Sequence, residues 1–382
     1  MTSSGGARRI AVVHGYYSSR VPSGENVVVD LQVAALREAG SDVEVYSIAQ
    51  DEAEQASLYP LRAAARAMTG RGPAPAFEHF DPDVVHVHNL FPNFGRRWVR
   101  RHGGKLVATL HNFRPICPAA TLFRDGGSCT ECPDSGSAWP ALRHGCYKSS
   151  RVATAPVALG TRMAADPVLS SAARLIVLSD IMRDHYAAVG VDPARMVRVP
   201  NFVVDDGDAP CDAADRSGWV YVGRLTPEKG IDRLVAQWPA DQRLVVLGDG
   251  PLLPALRATA TPGVEFRGSV TPQEVRGVVA RARGLVFPSL WPEGLPTVYL
   301  EALAAGTPVL ASPESVVGSL VALEGTGAVM SGDLSRDLAD ANRNFGVLAG
   351  RCRSVFTENY SQGAWLRAIG HVYDDVCGRG GS

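Results

Sequence analysis

The sequence predicts an α/β protein with two domains, each a parallel β-sheet flanked by helices. A chain of 382 residues exceeds the usual size of one hydrophobic core. Short runs rich in β-branched residues alternate with amphipathic helical patterns, which is typical of βαβ units. This alternation breaks at residues 201–218, where the sequence is acidic and rich in turn residues. We therefore expect two Rossmann-like domains joined by a linker.

The first domain, predicted over residues 1–203, has six candidate strands, each a short apolar run. They are RIAVV (9–13), DVEVYSI (42–48), DVVHVH (83–88), KLVATL (105–110), RLIVLS (174–179) and MVRVP (196–200). A helical pattern over residues 25–40 follows the first strand. It ends at Gly40, a residue type common at helix C-termini.

The second domain, predicted over residues 204–358, repeats the alternation. Its candidate strands are WVYVG (219–223), RLVVLG (243–248), VEFRG (264–268), GLVFPS (284–289) and TPVLAS (307–312). In the remaining residues, 359–382, apolar side chains recur at helical spacing. We expect this last segment to form a helix that packs back on the first domain.

Composition and charge argue against several classes of protein. Of the residues, 46% are hydrophobic and 20% are charged, as in a soluble globular protein. The 38 Lys and Arg residues balance 39 Asp and Glu residues, which argues against nucleic acid as a partner. No apolar run has the length of a membrane span or of a secretory signal. We expect a cytoplasmic protein, with peripheral membrane contact left open.

Two strand-to-helix junctions of the second domain carry residues suited to an anionic ligand. In VYVGRLTPEKGID, Gly223 ends a strand, and Arg224 and Lys229 precede the next helix. Cations at a helix N-terminus oppose the helix dipole, so the pair indicates a bound anion. A solvated loop is the alternative interpretation.

The second junction is PEGLPTVYLEALAAG. Gly294 permits close approach of a ligand to the backbone, and Pro296 fits the first turn of a helix. Thr297 and Glu301 are four residues apart and share a helix face, where a carboxylate can accept two hydrogen bonds from a vicinal diol such as ribose. Glu293 stands in the preceding loop, where we expect it to lie past the phosphates and near a sugar.

These motifs, in this order, resemble the donor-binding half of the GT-B retaining glycosyltransferases, in particular glycosyltransferase family 4 (group 1). The matching elements lie within residues 219–311 and are VGRLTPEKGID, LVVLGDGP, VEFRGSV and PSLWPEGLPTVYLEALAAGTPVLAS. The last contains the family's paired glutamates, here Glu293 and Glu301. The resemblance implies the GT-B fold, in which two Rossmann-like domains face a central cleft.

The resemblance also implies how a nucleoside-diphosphate sugar would bind. Arg224 and Lys229 would neutralise the diphosphate, so that the chemistry requires no metal or other cofactor. Glu301 would hold the ribose hydroxyls, and Glu293 would contact the donor sugar. Backbone groups would contact the rest of the donor: those of Gly223, Gly294, Leu295, Pro296 and Thr297 the phosphates, and those of Ser269 and Val270 the nucleobase.

In the first domain, Gly24 lies where the resemblance implies a glycine loop that closes over the diphosphate. Ser23 replaces the first of the family's two adjacent glycines. His111 follows a strand, at the position of a histidine that hydrogen-bonds a hydroxyl of the donor sugar. His86 and His88 lie on one face of their strand, and without a carboxylate beside them we interpret them as structural residues.

The resemblance predicts transfer of a sugar from a UDP- or GDP-sugar to an acceptor hydroxyl with retention of configuration. The acceptor would be a carbohydrate or a small molecule, in bacterial glycan or natural-product biosynthesis. A double displacement would need an enzymic nucleophile, and no carboxylate of the matched motifs is clearly placed for that role. The resemblance to the family implies front-face substitution instead. A sugar-nucleotide epimerase, a phosphorylase of the same fold and a non-catalytic nucleotide-sugar-binding protein are the alternatives.

Residues 117–146 interrupt the first domain without helix or strand periodicity. The segment contains four of the seven cysteines: Cys117, Cys129, Cys132 and Cys146. Four thiolates can form a structural zinc site, for which His144 is a substitute ligand. Disulfides and free thiols are the alternatives, and we expect the segment to contribute to acceptor recognition.

Overall fold

The structure is a computed structural model that describes residues 7–19, 23–205, 211–212 and 215–379. The chain divides into two compact units. The first comprises Met1–Leu122, Cys129–Asn201 and Trp365–Ser382, and the second comprises Phe123–Ser128 and Phe202–Ala364. The first unit is therefore assembled from segments that are far apart in the sequence.

The strands are numbered in chain order. They are β1 (Arg9–Tyr16), β2 (Asp42–Ala49), β3 (Val84–Val87), β4 (Leu106–Leu110), β5 (Phe123–Arg124), β6 (Gly127–Ser128), β7 (Arg174–Val177), β8 (Met196–Arg198), β9 (Trp219–Val222), β10 (Leu244–Leu247), β11 (Val264–Gly268), β12 (Gly284–Phe287), β13 (Val309–Ala311) and β14 (Gly327–Val329).

The α-helices are numbered in the same way. They are α1 (Gly24–Glu38), α2 (Gln50–Ala53), α3 (Tyr59–Thr69), α4 (Glu131–Asp134), α5 (Trp139–His144), α6 (Arg151–Gly160), α7 (Pro167–Ser171), α8 (Asp180–Ala188), α9 (Ile231–Ala236), α10 (Leu253–Thr259), α11 (Pro272–Arg281), α12 (Thr297–Ala304), α13 (Val316–Glu324), α14 (Leu334–Asn344), α15 (Ala349–Val355) and α16 (Gln362–Arg379). Shorter 3₁₀ turns include Pro227–Lys229, and a π-helical turn spans Phe356–Tyr360.

The sheet of the first unit is parallel, with the strand order β2-β1-β3-β4-β7-β8. β3 and β4 are buried along their whole length, because their apolar residues pack on both faces of the sheet. The order reverses direction between β1 and β3. Open α/β sheets bind ligands at the carboxyl ends of strands at such a switch point.

The second unit repeats this plan with the parallel order β11-β10-β9-β12-β13-β14. Its switch point lies between β9 and β12. The two strand-to-helix junctions identified in the sequence follow these two strands, so the fold brings them to the same edge of the sheet.

Helix boundaries agree closely with the sequence patterns where a cap defines them. α1 ends at Glu38, and Gly40, just beyond it, adopts a positive φ of 88°. This left-handed conformation is the reason a glycine is suited to that position. Among the described helices, none combines the length and the apolar character that a membrane span requires.

The last helix, α16, packs within the first unit from Trp365 onward. Its apolar residues Ile369, Val372 and Tyr373 are buried. The Tyr373 hydroxyl lies 2.7 Å from Nδ1 of His86, which is a residue of β3. This contact fixes the end of the chain to a central strand of the sheet.

Candidate active site

Lys229 and Glu293 form an ion pair, with 2.6 Å between Nζ and Oε2. The Ser289 hydroxyl donates a hydrogen bond to the other carboxylate oxygen, Oε1, also at 2.6 Å. Glu293 is only 7% exposed. The Lys229 ammonium also lies 5.5 Å from the centroid of the Trp291 ring. Both charges are therefore held in fixed positions by neighbours at the carboxyl end of the sheet.

The local backbone explains how these two loops meet. Lys229 ends a 3₁₀ turn, and Gly230 follows with a positive φ of 66°. A Cβ atom at Gly230 would lie 2.1 Å from the carbonyl oxygen of Pro288, so only glycine fits. The Leu290 amide donates to the carbonyl of Glu228 at 2.9 Å. The loop after β9 and the loop after β12 are thus packed against each other and joined by a backbone hydrogen bond.

Arg224 lies in the first of these loops, directly after Gly223. Its side chain is 54% exposed and approaches Oε1 of Glu228 at 3.3 Å. The backbone of the loop is fixed, because the Tyr221 hydroxyl donates to the carbonyl of Arg224 at 2.8 Å. An exposed ion pair of this kind contributes little to stability. The guanidinium can therefore turn toward an anionic ligand at low cost.

A cavity of about 800 Å³ opens beside α12 in the second unit. Glu301, Val270, Arg267 and Arg276 are among its lining residues, whereas Ser269 is exposed outside the lining. Burial raises the pKa of Glu301, and the charge of Arg276 opposes that shift. Within the described part of the chain, no side chain donates a hydrogen bond to the Glu301 carboxylate. The carboxylate is therefore available to a ligand with hydroxyl groups.

The N-terminus of α12 lies between these two features in the sequence. Pro296 is the N-cap residue, one position before the predicted first turn, and the helix begins at Thr297. No side chain caps this end of the helix. The backbone amides of Gly294 and Leu295 precede it in the same loop. Uncapped amides at a helix N-terminus suit the oxygen atoms of a phosphate group.

In the first unit, His111 lies just after β4 and pairs with His88. Nε2 of His111 is 2.9 Å from Nδ1 of His88, and the two rings stack with 5.2 Å between centroids. Burial lowers the pKa of His111 to about 3, assisted by repulsion from His14 and His86. Burial likewise lowers the pKa of His88 well below its ordinary value. Both rings are therefore neutral at neutral pH.

At the start of α1, Ser23 stands in place of the family's first glycine. Ser23 has an extended backbone, with φ of −123°, and its hydroxyl accepts the amide hydrogen of Asn26 at 3.3 Å. It acts as an ordinary N-cap residue. Gly24 is the first residue of the helix. Residues 20–22 of this loop lie outside the described part of the chain.

Beside Gly24, Glu25 has an unusual environment. The Tyr17 hydroxyl donates to its Oε2 at 3.2 Å. Burial raises the pKa of Glu25 to about 7, despite opposing effects of Tyr17, Asn112 and Arg114. A carboxyl group that titrates near neutral pH can exchange a proton during a reaction.

Sequence reasoning missed several of these polar side chains. Arg276 lies on a helix face that reads as solvent-exposed, and its position against Glu301 depends on how α11 and α12 pack. Arg114, three residues after His111, lies 4.5 Å above the Phe91 ring and 5.2 Å above the Tyr147 ring. The HNFR tetrapeptide was a signal for it, since it places a cation three residues after the histidine at the end of a strand.

The structure does not support the zinc expectation for the cysteine segment. All seven cysteines lie in the described residues, and none forms a disulfide. No group of three or more His, Cys, Asp or Glu side chains in the described ranges is arranged to hold a metal ion. Cys117 and Cys132 are instead buried in the hydrophobic core, with Cys146 packed against it. The remaining cysteine of the segment, Cys129, is partly exposed.

Burial raises the pKa of Cys132 to about 12, and the thiols of Cys117, Cys146 and Cys129 act in the same direction. His144, the substitute ligand, contacts Oε2 of Glu131 at 3.2 Å. The segment also contains the short hairpin β5–β6 and the helices α4 and α5, which its irregular sequence did not reveal. These elements are too short for a helical or strand periodicity of apolar residues to be detected in the sequence.

Two parallel α/β sheets, each with a switch point lined by polar loops, define the GT-B fold of glycosyltransferases. Residues 23–201 match the family model of the glycosyl transferase 4-like domain, and residues 216–345 match that of glycosyl transferases group 1. The chain belongs to the GT4-like, group 1 glycosyltransferase family.

Individual proteins agree with this assignment. The chain is 31% identical over 192 residues to a GDP-mannose-dependent alpha-(1-6)-phosphatidylinositol monomannoside mannosyltransferase of Mycobacterium tuberculosis, a match that covers 43% of this chain and 50% of the relative. A GDP-mannose-dependent alpha-mannosyltransferase of the same organism is 30% identical over 273 residues, which cover 70% of this chain and 65% of the relative. The chain thus spans about half the length of the curated relatives it first matches.

A solved structure shows the same fold. Anabaena Alr3699/HepE, in complex with UDP and glucose, superposes with a TM-score of 0.60 at 15% identity. The match covers 96% of this chain and 100% of that chain. The similarity therefore concerns the complete two-domain architecture.

Proposed function

We propose that this chain transfers a sugar from a nucleoside-diphosphate sugar to an acceptor hydroxyl with retention of configuration. The observation that carries the proposal is the cavity beside α12. Its volume of about 800 Å³ suits a nucleotide-sized ligand, and its wall carries the Glu301 carboxylate without a side-chain donor in the described residues. We assign Glu301 to the ribose hydroxyls and Val270, with the neighbouring Ser269, to the nucleobase.

The diphosphate is assigned to the loops that follow β9 and β12. Arg224 and Lys229 supply positive charge, and the uncapped start of α12 supplies the backbone amides of Gly294, Leu295 and Thr297. When the bond to the sugar breaks, negative charge grows on the leaving diphosphate, and these groups stabilise it. We propose that they do so without a divalent metal ion. Glu293, held by Lys229, then contacts the transferred sugar.

The donor is a UDP- or GDP-sugar. The curated relatives are named as GDP-mannose-dependent mannosyltransferases, which supports a guanosine donor. HepE was solved with UDP and glucose, which supports a uridine donor. The acceptor is a carbohydrate or a small molecule of bacterial glycan or natural-product biosynthesis. This setting is consistent with a cytoplasmic enzyme that contacts the membrane surface.

Retention is best accounted for by front-face substitution. The bond between the sugar C1 and the phosphate oxygen breaks, and a bond from C1 to the acceptor oxygen forms on the same face. The acceptor proton passes to an oxygen of the departing phosphate. His111 in the first unit donates or accepts a hydrogen bond at a sugar hydroxyl, and Gly24 begins the helix that follows the proposed diphosphate loop.

A donor screen tests the proposal. Purified protein is incubated with UDP-glucose, UDP-galactose and GDP-mannose, and release of nucleoside diphosphate is measured together with the sugar product. We expect one donor to be hydrolysed slowly, with strong losses in Lys229→Ala and Glu293→Ala. Glu358→Ala, a change at an exposed position in the same unit, is the matched control.

The alternatives give different outcomes in the same assay. An epimerase would return a changed sugar still joined to its nucleotide, and a phosphorylase would need inorganic phosphate and a glycan. A non-catalytic binding protein would bind a donor without turnover. Release of nucleoside diphosphate at the wild-type rate by both Lys229→Ala and Glu293→Ala would refute the site assignment.

A further inference from the structure

Three imidazole rings form a continuous stack in the first unit, and His88 is its central member. The His86 and His88 rings are 4.3 Å apart, and the His88 and His111 rings are 5.2 Å apart. His14 meets His88 edge-on at 6.2 Å. The stack lies at the carboxyl ends of β1, β3 and β4, beside the switch point of the sheet. His88 was interpreted from the sequence as structural, but it directly contacts the proposed sugar-binding histidine.

The position of His88 is fixed from two sides. Its backbone amide donates to the carbonyl of Val13 at 3.0 Å, which holds it against β1. Its neighbour in the stack, His86, is hydrogen-bonded through both ring nitrogens, to Tyr373 at 2.7 Å and to Thr109 at 2.8 Å. Because the His86 ring is fixed by these two hydrogen bonds, it restricts the position of the His88 ring that packs against it.

The hydrogen bond between His88 and His111 carries one proton. Burial keeps both rings neutral, so each has one protonated nitrogen and one lone pair. Nδ1 of His88 and Nε2 of His111, 2.9 Å apart, must therefore present one donor and one acceptor. The tautomer of one ring then determines the tautomer of the other. In the described part of the chain, no hydrogen bond reaches the remaining nitrogen of His111, Nδ1.

We propose that His88 is a positioning residue for His111: it occupies Nε2 of His111, fixes its tautomer and leaves Nδ1 as the nitrogen that meets the sugar hydroxyl. This inference rests on the proposed function, since it assigns the sugar contact of His111 to one atom. It adds His88 to the proposed site as a residue that acts only through its contact with His111.

Paired substitutions test this assignment, because an asparagine amide reaches about as far as Nδ1 and a glutamine amide about as far as Nε2. We expect His111→Asn to retain more kcat/KM for nucleoside diphosphate release than His111→Gln. At position 88, His88→Leu should lower kcat/KM by about tenfold to 100-fold, since a misplaced contact group costs that much. His88→Asn should restore most of it, because its amide can either donate to Nε2 of His111 or accept from it. His79→Leu, at an exposed histidine, is the control.

A spectroscopic measurement separates positioning from a merely structural role. In protein labelled with ¹⁵N-histidine and without donor, the two ring nitrogens of His111 should report one tautomer. In His88→Leu they should shift toward a mixture, and His88→Asn should reverse the shift. If His88→Leu does not fold, His88→Gln takes its place in both measurements.

Three results would overturn the inference: wild-type kcat/KM in folded His88→Leu, unchanged His111 nitrogen shifts in that variant, or higher activity in His111→Gln than in His111→Asn. Failure of the proposed function is distinguishable. It would show as no release of nucleoside diphosphate by the wild-type protein from any donor, while the nitrogen shifts would still decide whether His88 fixes the tautomer.

Discussion

The Lys229 ammonium lies 2.6 Å from Oε2 of Glu293, and this ion pair joins two loops that leave the sheet at its switch point. The pair is nearly buried, with side-chain exposures of 15% for Lys229 and 9% for Glu293. Without ligand, the charge of Lys229 is balanced by Glu293. If a diphosphate binds as proposed, it would compete for the same ammonium, and donor binding would be coupled to the position of Glu293.

Breaking this ion pair should destabilise the second unit. Lys229→Ala or Glu293→Ala leaves a buried charge without its partner, which costs about 3–5 kcal/mol. The double variant Lys229→Met/Glu293→Leu replaces both charges by apolar groups and should lie closer to wild type. Denaturant unfolding followed by tryptophan fluorescence measures the effect. Single variants as stable as wild type would contradict the buried pair.

Removing the Glu301 carboxylate should weaken binding of the donor ribose. A hydrogen bond to a charged group contributes about 1.5–3 kcal/mol, so Glu301→Ala should raise the donor KM by about tenfold to 100-fold. Kinetics with 2′-deoxy and 3′-deoxy donors provide the specific check. Wild type should discriminate against them, and Glu301→Ala should not. Equal discrimination by both proteins would place the ribose elsewhere.

The first unit should lose stability in mild acid. Burial lowers the pKa of His86 to about 3. Burial is also the largest influence on His14, and it lowers the pKa of that residue to about 4. The unfolded chain binds protons below a pKa of about 6.5, whereas the folded chain does not, so stability falls as the pH drops from about 6.5 toward these values. Each such histidine contributes a slope of about 1.4 kcal/mol per pH unit.

Unfolding measurements at pH 7, 6 and 5 test this dependence. His86→Gln should reduce the slope of the unfolding free energy by roughly one proton. His79→Gln, a change at an exposed histidine, is the matched control. A slope unchanged by His86→Gln would show that His86 is protonated in the folded protein.

Thiol modification should follow burial. Cys377 is exposed and Cys129 is partly exposed, whereas burial raises the pKa of Cys132 and Cys352 to about 12. Because the thiolate is the reactive form, alkylation of the buried pair should be at least about a hundredfold slower. Peptide mapping by mass spectrometry measures each site. Stoichiometric zinc in the purified protein, with Cys129 protected until a chelator is added, would show that the cysteine segment binds a metal ion.

Much of the fold could be predicted because each strand is a short apolar run ended by a turn. VEFRG coincides with β11, Val264–Gly268. The strand predicted over GLVFPS is two residues too long, since β12 ends at Phe287 and the next two residues belong to the loop of Glu293. The strand β14, Gly327–Val329, was missed because a run of three residues, none of them buried, is too short to show an alternating pattern.

The site was predictable where a motif lies in one continuous stretch, as with Glu293 and Glu301. Contacts between distant stretches were not. His88 and His111 are 23 residues apart, and their alignment depends on the register of β3 with β4. The zinc expectation is unsupported in the described residues, because cysteine spacing alone does not show whether the thiols are arranged to hold a metal ion.

The bond between Tyr373 and His86 has a consequence for how the protein is made. The first unit needs residues from Trp365 onward, which are synthesised after the second unit's residues up to Ala364. N-terminal domains generally fold first during synthesis. Here the early segments cannot complete their packing, and Nδ1 of His86 lacks its partner, until Tyr373 has been synthesised. We expect a nascent chain released before Tyr373 to contain an incompletely folded first unit, even though every strand of both sheets has already been synthesised.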